Sequence, residues 1–331
     1  MIERARSQVA GLVNAETDDV RFTGGASEAL RLALAFAAAE VAGPLRLAAS
    51  RIEHPALLAA IADLGARAEV RWIEPDASGV VPVDAVADVL ANPVDLLCLM
   101  AVNNEVGTIQ PVCEAAALAA NAGAAILVDA SQAAGRIPVD VQDWGADYVV
   151  LSAHKIYGPK GVGALIGDGL AVRPSPAGAP SHDTTPNPPA LVGFGEAARL
   201  RLIEGRDDED RIATLRDRLQ AALIGALPDT VVNGDGAAKI AGNLHVSVRA
   251  SNDAVIAQLF DTVAISTGAA CVSGVDQPSH VLQAMNLPLW RQEGALRISL
   301  GRDTTTAEVD QAAELIIAAV RKVRTLLDKA S

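Results

Sequence analysis

The stretch Asp147-Tyr-Val-Val-Leu-Ser-Ala-His-Lys155-Ile-Tyr-Gly-Pro-Lys160-Gly-Val-Gly163 ends a buried strand and opens a glycine-rich loop. Tyr148 to Leu151 is a short apolar run, as in a strand covered on both faces. It stops at Ser152-Ala153-His154-Lys155. In an open α/β sheet ligands bind beyond the carboxyl ends of the strands, so Lys155 stands at the ligand edge. The chain has five lysines in 331 residues, and two of them, Lys155 and Lys160, fall in this loop. A desolvated lysine loses its proton readily and can attack a carbonyl to form a Schiff base. A solvated strand-end lysine is the commoner arrangement, so the choice rests on what the neighbouring strands carry.

Upstream, strands alternate with helical segments. Val20–Thr23 is a strand, followed by Gly24-Gly25-Ala26-Ser27-Glu28 and an Ala/Leu helix to about Ala42. Strands follow at Leu45–Ala49, Ala68–Ile73, Asp95–Ala101 and Ala124–Val128, with helices at Pro55–Leu64, Pro82–Leu90 and residues 112–122. This alternation predicts a doubly wound, largely parallel sheet. The Gly24-Gly25 turn before Ser27 offers free backbone N–H groups and a hydroxyl to a phosphate-sized anion, although a plain helix cap reads the same way. His54 opens a helix at a strand–helix junction, and Asn104 lies in the polar loop after the Asp95–Ala101 strand. Asp129 closes an apolar run, where a carboxylate needs a cation, a hydrogen-bond donor or a capping role.

Downstream, Arg173 to Pro189 holds six prolines and is irregular. Two helices, Ala190 to about Glu204 and Asp207–Leu227, lead to a C-terminal α+β part. There, strands are expected at Thr230–Asn233, Asn243–Val248, Val263–Ser266 and Ala295–Leu300, and helices at Asp253–Leu259, Ser279–Met285 and Thr306–Lys329. The expected domains are residues 1–195 and 196–331.

Composition excludes several classes. Half of the chain is hydrophobic and 3% aromatic, within the range of soluble α/β proteins. The net charge of −13 makes nucleic acid and anionic membrane poor partners. No uncharged run reaches membrane-spanning length, and the charged Met1-Ile-Glu-Arg start is not a signal peptide. Three cysteines without paired spacing (Cys98, Cys113, Cys271) point to reduced thiols in a cytoplasm, with no disulfide framework and no metal site.

A Schiff-base lysine, an aspartate at a neighbouring strand end and a Gly/Ser anion cradle together meet the needs of pyridoxal 5'-phosphate. The lysine holds the aldehyde, the aspartate keeps the pyridine nitrogen protonated, and the helix N–H groups hold the phosphate.

The chain resembles the class V aminotransferases of pyridoxal-phosphate fold type I, and within them the cysteine desulfurases of the bacterial iron–sulfur type. The resemblance covers the chain from about Arg4 onward. It rests on Phe22-Thr-Gly-Gly-Ala-Ser-Glu-Ala29, Glu53-His54-Pro55, Val102-Asn-Asn-Glu-Val-Gly-Thr108, Val128-Asp-Ala-Ser-Gln132, Ser152-Ala-His-Lys-Ile-Tyr-Gly-Pro-Lys-Gly161, Ser266-Thr-Gly-Ala-Ala-Cys271 and Leu296-Arg-Ile-Ser-Leu-Gly-Arg302. It implies a large domain with a mostly parallel seven-stranded sheet, a small C-terminal domain and a homodimer.

It also implies roles. Lys155 would be the cofactor lysine and proton shuttle, Asp129 the partner of the ring nitrogen, and His54 the residue stacked on the ring. Asn104 and Gln132 would bond the phenolic oxygen. Ala26, Ser27, Ser152 and His154 would hold the phosphate, and Thr185 would reach the phosphate of the other subunit. Arg297 would grip the substrate carboxylate. Cys271 would take sulfur from L-cysteine as a persulfide, releasing alanine, and pass it to a sulfur-acceptor protein.

Three features depart from the family pattern. The chain starts after the family's Asp-Asn/Ala-Ala-Thr-Thr segment. The Gly-Gly-Gly-Gln-Glu loop is not recognisable, and the following motif reads His182-Asp-Thr-Thr-Pro-Asn187, without its Arg and Gly. These departures admit a second expectation, a weakly active or non-enzymatic cofactor-binding paralogue or sulfur-relay partner. A selenocysteine lyase is a third.

Overall fold

A computed structural model describes residues 1–177, 186–267 and 279–330. The chain forms two compact units. Unit 1 comprises Met1–Glu74, Val81–Asn103 and Gln110–Arg206, and unit 2 comprises Pro75–Val80, Asn104–Ile109 and Asp207–Ser331. The division falls at Arg206 and not after residue 195, and two short segments of the N-terminal half belong to unit 2.

Unit 1 runs α1 (Ile2–Leu12), β1 (Val20–Thr23), α2 (Ala26–Ala39), β2 (Leu45–Ser50), α3 (Pro55–Ala62), β3 (Ala68–Ile73), α4 (Val83–Leu90), β4 (Leu96–Met100), α5 (Val112–Ala122), β5 (Ala125–Asp129), α6 (Val141–Trp144), β6 (Tyr148–Ser152) and β7 (Gly163–Ile166), then enters α7 (Pro188–Ala226). The seven strands form one sheet in the order β1-β7-β6-β5-β4-β2-β3. Pairs among β2 to β6 are parallel, whereas β7 is antiparallel to both of its neighbours. Thus β7 alone runs against the other six.

Every residue of β4 and of β6 is buried. Helices cover both faces of a parallel sheet, so its inner strands read as unbroken apolar runs. Leu30, Leu34 and Phe36 of α2 pack with Leu47, Leu127, Val150 and Leu165 in this core. Each such side chain contributes about 1.5–3 kcal/mol by leaving water.

Unit 2 holds the C-terminal half of α7, then β8 (Val231–Val232), β9 (Asn243–Ser247), α8 (Asn252–Leu259), α9 (His280–Ala284), α10 (Leu289–Glu293), β10 (Ala295–Ser299) and α11 (Thr306–Ala330). Its sheet is antiparallel, in the order β10-β9-β8. Leu219 and Leu223 of α7, Val246, Leu296, Val255 of α8 and Ile316 of α11 form a second core.

Some expectations need correction. The two helices expected on either side of Gly205 are one continuous helix, α7. Gly205 is buried, and a Cβ there would meet the Gly135 carbonyl oxygen at 3.1 Å. It is small to permit contact, not to break the helix. The strand expected at Val263–Ser266 reduces to a single bridge between Ser266 and Arg297. The short β7 has no counterpart among the expected strands, because four residues beginning with glycine carry too little pattern to register. Residues 178–185, with Thr185, and 268–278, with Cys271, lie outside the described residues.

Candidate active site

The carboxyl ends of the parallel strands carry the polar groups of unit 1. β1 ends at Thr23 before Gly24-Gly25, β2 leads to Glu53-His54, β4 to Asn103, β5 ends on Asp129, and β6 leads to Lys155. Strand register sets them level: Met100 lies beside Asp129, Asp129 beside Val150, and Gly163 of β7 beside both Ser152 and Thr23.

The Gly24-Gly25 turn is shaped as an anion cradle. Gly25 caps α2 at φ +146°, a conformation side chains rarely tolerate, and the space a Cβ would enter is open. It supplies no side-chain acceptor, so N–H groups of the first turn of α2 lack an intrahelical partner and point outward with the positive end of the helix dipole. Glu28 holds the turn by accepting the Gly24 N–H at 2.6 Å. Gly163 closes the floor. A Cβ there would meet the Leu151 carbonyl oxygen at 2.6 Å and Gly25 carbon atoms at 2.8 and 2.9 Å.

Ser27 is exposed in the first turn of α2, and Ser152 is buried with its hydroxyl 3.0 Å from His154 Nδ1. Partial burial, helped by Lys155 and Lys160, pushes the His154 imidazolium pKa down. The neutral ring then serves as a hydrogen-bonding group to Ser152.

Asp129 is buried at 7% exposure, and its Oδ1 accepts the Ser131 N–H at 2.9 Å. The Ser131 hydroxyl is buried and has no hydrogen-bond partner among the described residues. Nearby, Glu53 is fully buried, and its Oε1 accepts the Met100 N–H at 2.8 Å. Burial raises its pKa to about 8; the Met100 bond opposes this and the Asp129 charge adds to it. Near neutrality Glu53 is therefore a carboxylic acid. Burial, with Glu53, also pushes the Cys98 thiol far up, which makes it an inert core residue.

Glu53 was visible in the sequence only as part of a helix start. It stands three residues beyond the end of β2, where no local pattern marks a buried carboxyl.

His54 is the N-cap of α3, its Nδ1 accepting the Ala56 N–H at 3.1 Å, which leaves the ring proton on Nε2. Lys155 is half-buried in a single 3₁₀ turn, Ala153–Ile156, that Tyr157 ends in the left-handed conformation. Gln132 is half-buried just beyond Asp129. The structure thus gathers Ala26, Ser27, His54, Asp129, Gln132, Ser152, His154 and Lys155 on one rim of unit 1.

In unit 2, Arg297 is half-buried on β10, and its Nη1 donates to the Asn104 carbonyl at 3.3 Å. Its backbone exchanges hydrogen bonds with Ser266 at 2.7 and 3.2 Å. The Asn104 side-chain oxygen is buried with no partner among the described residues. The adjacent Glu105 accepts from the Ser279 hydroxyl at 2.5 Å. Burial raises the Glu105 pKa, while the Ser279 bond, His280 and Arg297 draw it down. Unit 2 therefore brings Asn104 and Arg297 together and fastens both residues that flank the segment holding Cys271, Ser266 and Ser279.

Residues 1–312 match the family model "Aminotransferase class-V". The chain is 34% identical to the cysteine desulfurase IscS of Shewanella denitrificans over 339 aligned positions, covering 98% of this chain and 82% of the relative. Among solved structures it superposes on a NifS-like protein with a TM-score of 0.86 at 28% identity, covering 96% of this chain and 86% of that one. It also matches SspA in complex with cysteine at a TM-score of 0.79 and 27% identity, covering 92% and 87% of the two chains.

Proposed function

This chain belongs to the class-V aminotransferase family, and from that premise we infer that it is a pyridoxal-phosphate-dependent cysteine desulfurase, converting L-cysteine to L-alanine. One observation carries the reading. The carboxyl-end rim of unit 1 sets a lysine turn, a buried aspartate and an uncapped helix N-terminus level with one another.

The donor set fits the cofactor. The open space before Gly25 and the first turn of α2 suit a phosphate. The Ser131 hydroxyl, without a partner among the described residues, is a buried polar atom of the kind a ligand completes. Bound there, pyridoxal phosphate supplies the electron sink that loosens the bonds at the substrate Cα and Cβ.

The rest is work for the chain's own residues. Asp129 would partner the ring nitrogen, with the neutral Glu53 carboxyl nearby. His54 covers the ring face. Ser27, Ser152 and His154 would hold the phosphate with the N–H groups of α2. Lys155 Nζ would hold the aldehyde of the cofactor, and the same amine would take the Cα proton of the substrate. Arg297 binds the substrate carboxylate through paired N–H donors. The Cys271 thiolate attacks the substrate sulfur; an S–S bond forms, the Cβ–S bond breaks with its electron pair staying on carbon, and protonation of that carbon gives alanine. The sulfur remains on Cys271 as a persulfide and passes to an acceptor protein or thiol. A homodimer in the cytoplasm is part of the same reading, supported by the three unpaired-spacing cysteines and the family resemblance.

The test supplies L-cysteine and a reductant to the purified protein loaded with pyridoxal phosphate. Alanine and sulfide should form in equal amounts, and Cys271→Ala should abolish both while keeping the visible absorption band. Lys155→Ala should lose the band. A protein that holds the cofactor yet makes no alanine refutes the desulfurase reading.

A further inference from the structure

Two arginines join the turn after β5 to the turn after β6. Arg201, from α7, is buried at 3% exposure; its Nε donates to the Gly135 carbonyl at 2.9 Å, and its guanidinium lies over the Tyr157 ring at 5.6 Å. Arg136, next to Gly135, turns back toward the rim. Its Nη1 donates to Gln132 Oε1 at 2.9 Å and its Nη2 reaches the Lys155 carbonyl at 3.4 Å. The backbone N–H of Arg136 is itself held by the Ala133 carbonyl at 2.9 Å.

A guanidinium has donors only. The atom of Gln132 that faces Arg136 must therefore be the amide oxygen, and the NH2 group is turned away from it. An amide without such a neighbour can flip at small cost, because its two ends are nearly the same shape. We propose that Arg136 is a positioning residue: it fixes the Gln132 amide so that NH2, and not oxygen, is presented to the phenolic oxygen of pyridoxal phosphate, while tying that amide to the backbone of Lys155. The proposal rests on the reading of this rim as the cofactor site.

An N–H donated to the phenolic oxygen stabilises its anionic form and weakens its hold on the proton shared with the lysine nitrogen. Loss of the fixed amide should then raise the pH at which the visible band of the bound cofactor changes. One hydrogen bond to a charged oxygen corresponds to about one pH unit.

The experiment titrates that band with pH in the loaded wild type, Arg136→Met (which keeps the apolar stem), Arg136→Ala, Arg136→Lys, Gln132→Ala and the double variant Gln132→Ala/Arg136→Met. The Met and Ala variants should shift the midpoint upward, and Arg136→Lys, which keeps a donor, should bring it back toward wild type. The double variant should shift no further than Gln132→Ala alone, because the arginine acts through the glutamine. A merely structural arginine would lower the melting temperature and leave the midpoint in place. A midpoint unmoved in both Arg136→Met and Arg136→Ala, or additive shifts in the double variant, overturns the proposal while the cofactor reading stands. A wild-type protein whose band does not depend on Lys155 overturns the cofactor reading and the proposal with it.

Discussion

Replacing Glu53 by glutamine should flatten the pH dependence of stability between about pH 5 and pH 7. Glu53 is fully buried, and burial first, then the Asp129 charge, lifts its pKa from 4.5 to about 8 against the opposing Met100 N–H bond. In the unfolded chain the same carboxyl ionises near its ordinary value. The folded state therefore binds a proton that the unfolded state releases. The stabilisation is complete below the unfolded pKa of 4.5 and is lost as pH rises toward the folded value near 8. Each pH unit inside that window costs about 1.4 kcal/mol, so the wild type should lose roughly 3 kcal/mol from this one group between about pH 5 and pH 7.

Glu53→Gln keeps the oxygen that accepts the Met100 N–H and has no proton to lose. Urea denaturation of both proteins across this pH range gives the comparison, read as the difference in unfolding free energy. Glutamine should gain on glutamate by roughly 3 kcal/mol over two pH units. Parallel profiles would refute the claim that Glu53 is neutral in the folded protein.

Gly163→Ala should weaken pyridoxal phosphate binding by more than about tenfold, because the new Cβ meets backbone atoms of Leu151 and Gly25 that cannot yield. Absorbance titration with the cofactor measures this. Arg297→Lys should lower kcat/KM for L-cysteine by roughly 10- to 100-fold, the worth of a charge-assisted bond lost from a paired fork. Its effect should fall mainly on KM, measured by steady-state alanine formation. Phe36→Ala should destabilise unit 1 by about 3–5 kcal/mol, since Phe36 is 1% exposed and also carries the Arg173 guanidinium 4.8 Å from its ring. Denaturant unfolding checks it, and activity at saturating cofactor should persist in the folded fraction.

The inner strands were legible because burial on both faces leaves a run with no polar residue. The edge strands Val20–Thr23 and Ala68–Ile73, though they carry charged residues, match the structure residue for residue, and the other expected strands that form shift by one position at their ends. Lys155 and Asp129 were legible for a related reason, as polar residues where an apolar run stops, and Ser27 from the Gly24-Gly25 turn before its helix. What the sequence hid were matters of close approach. Gly205 reads as a helix breaker until the Gly135 carbonyl beside it is seen. Gly163 reads as loop until β7 is found paired on both edges. Arg136 carries no local signal, since its bonds to Gln132 and Lys155 depend on two turns meeting in space.

The reversed strand β7 has a consequence for how the protein is made. β1 pairs only with β7, so residues 20–23 emerge from the ribosome long before residues 163–166 that complete their hydrogen bonds. Until then β1 is an open edge, and Gly25 has no Gly163 beneath it. Strands β2 to β6 can assemble in the meantime, because each finds its neighbour within the part already synthesised. The anion cradle is thus among the last features of unit 1 to form. Long-range closure of this kind is slow and leaves a strand edge exposed while it waits. A nascent chain stopped before residue 163 would hold much of its sheet yet have no floor on which to seat a phosphate.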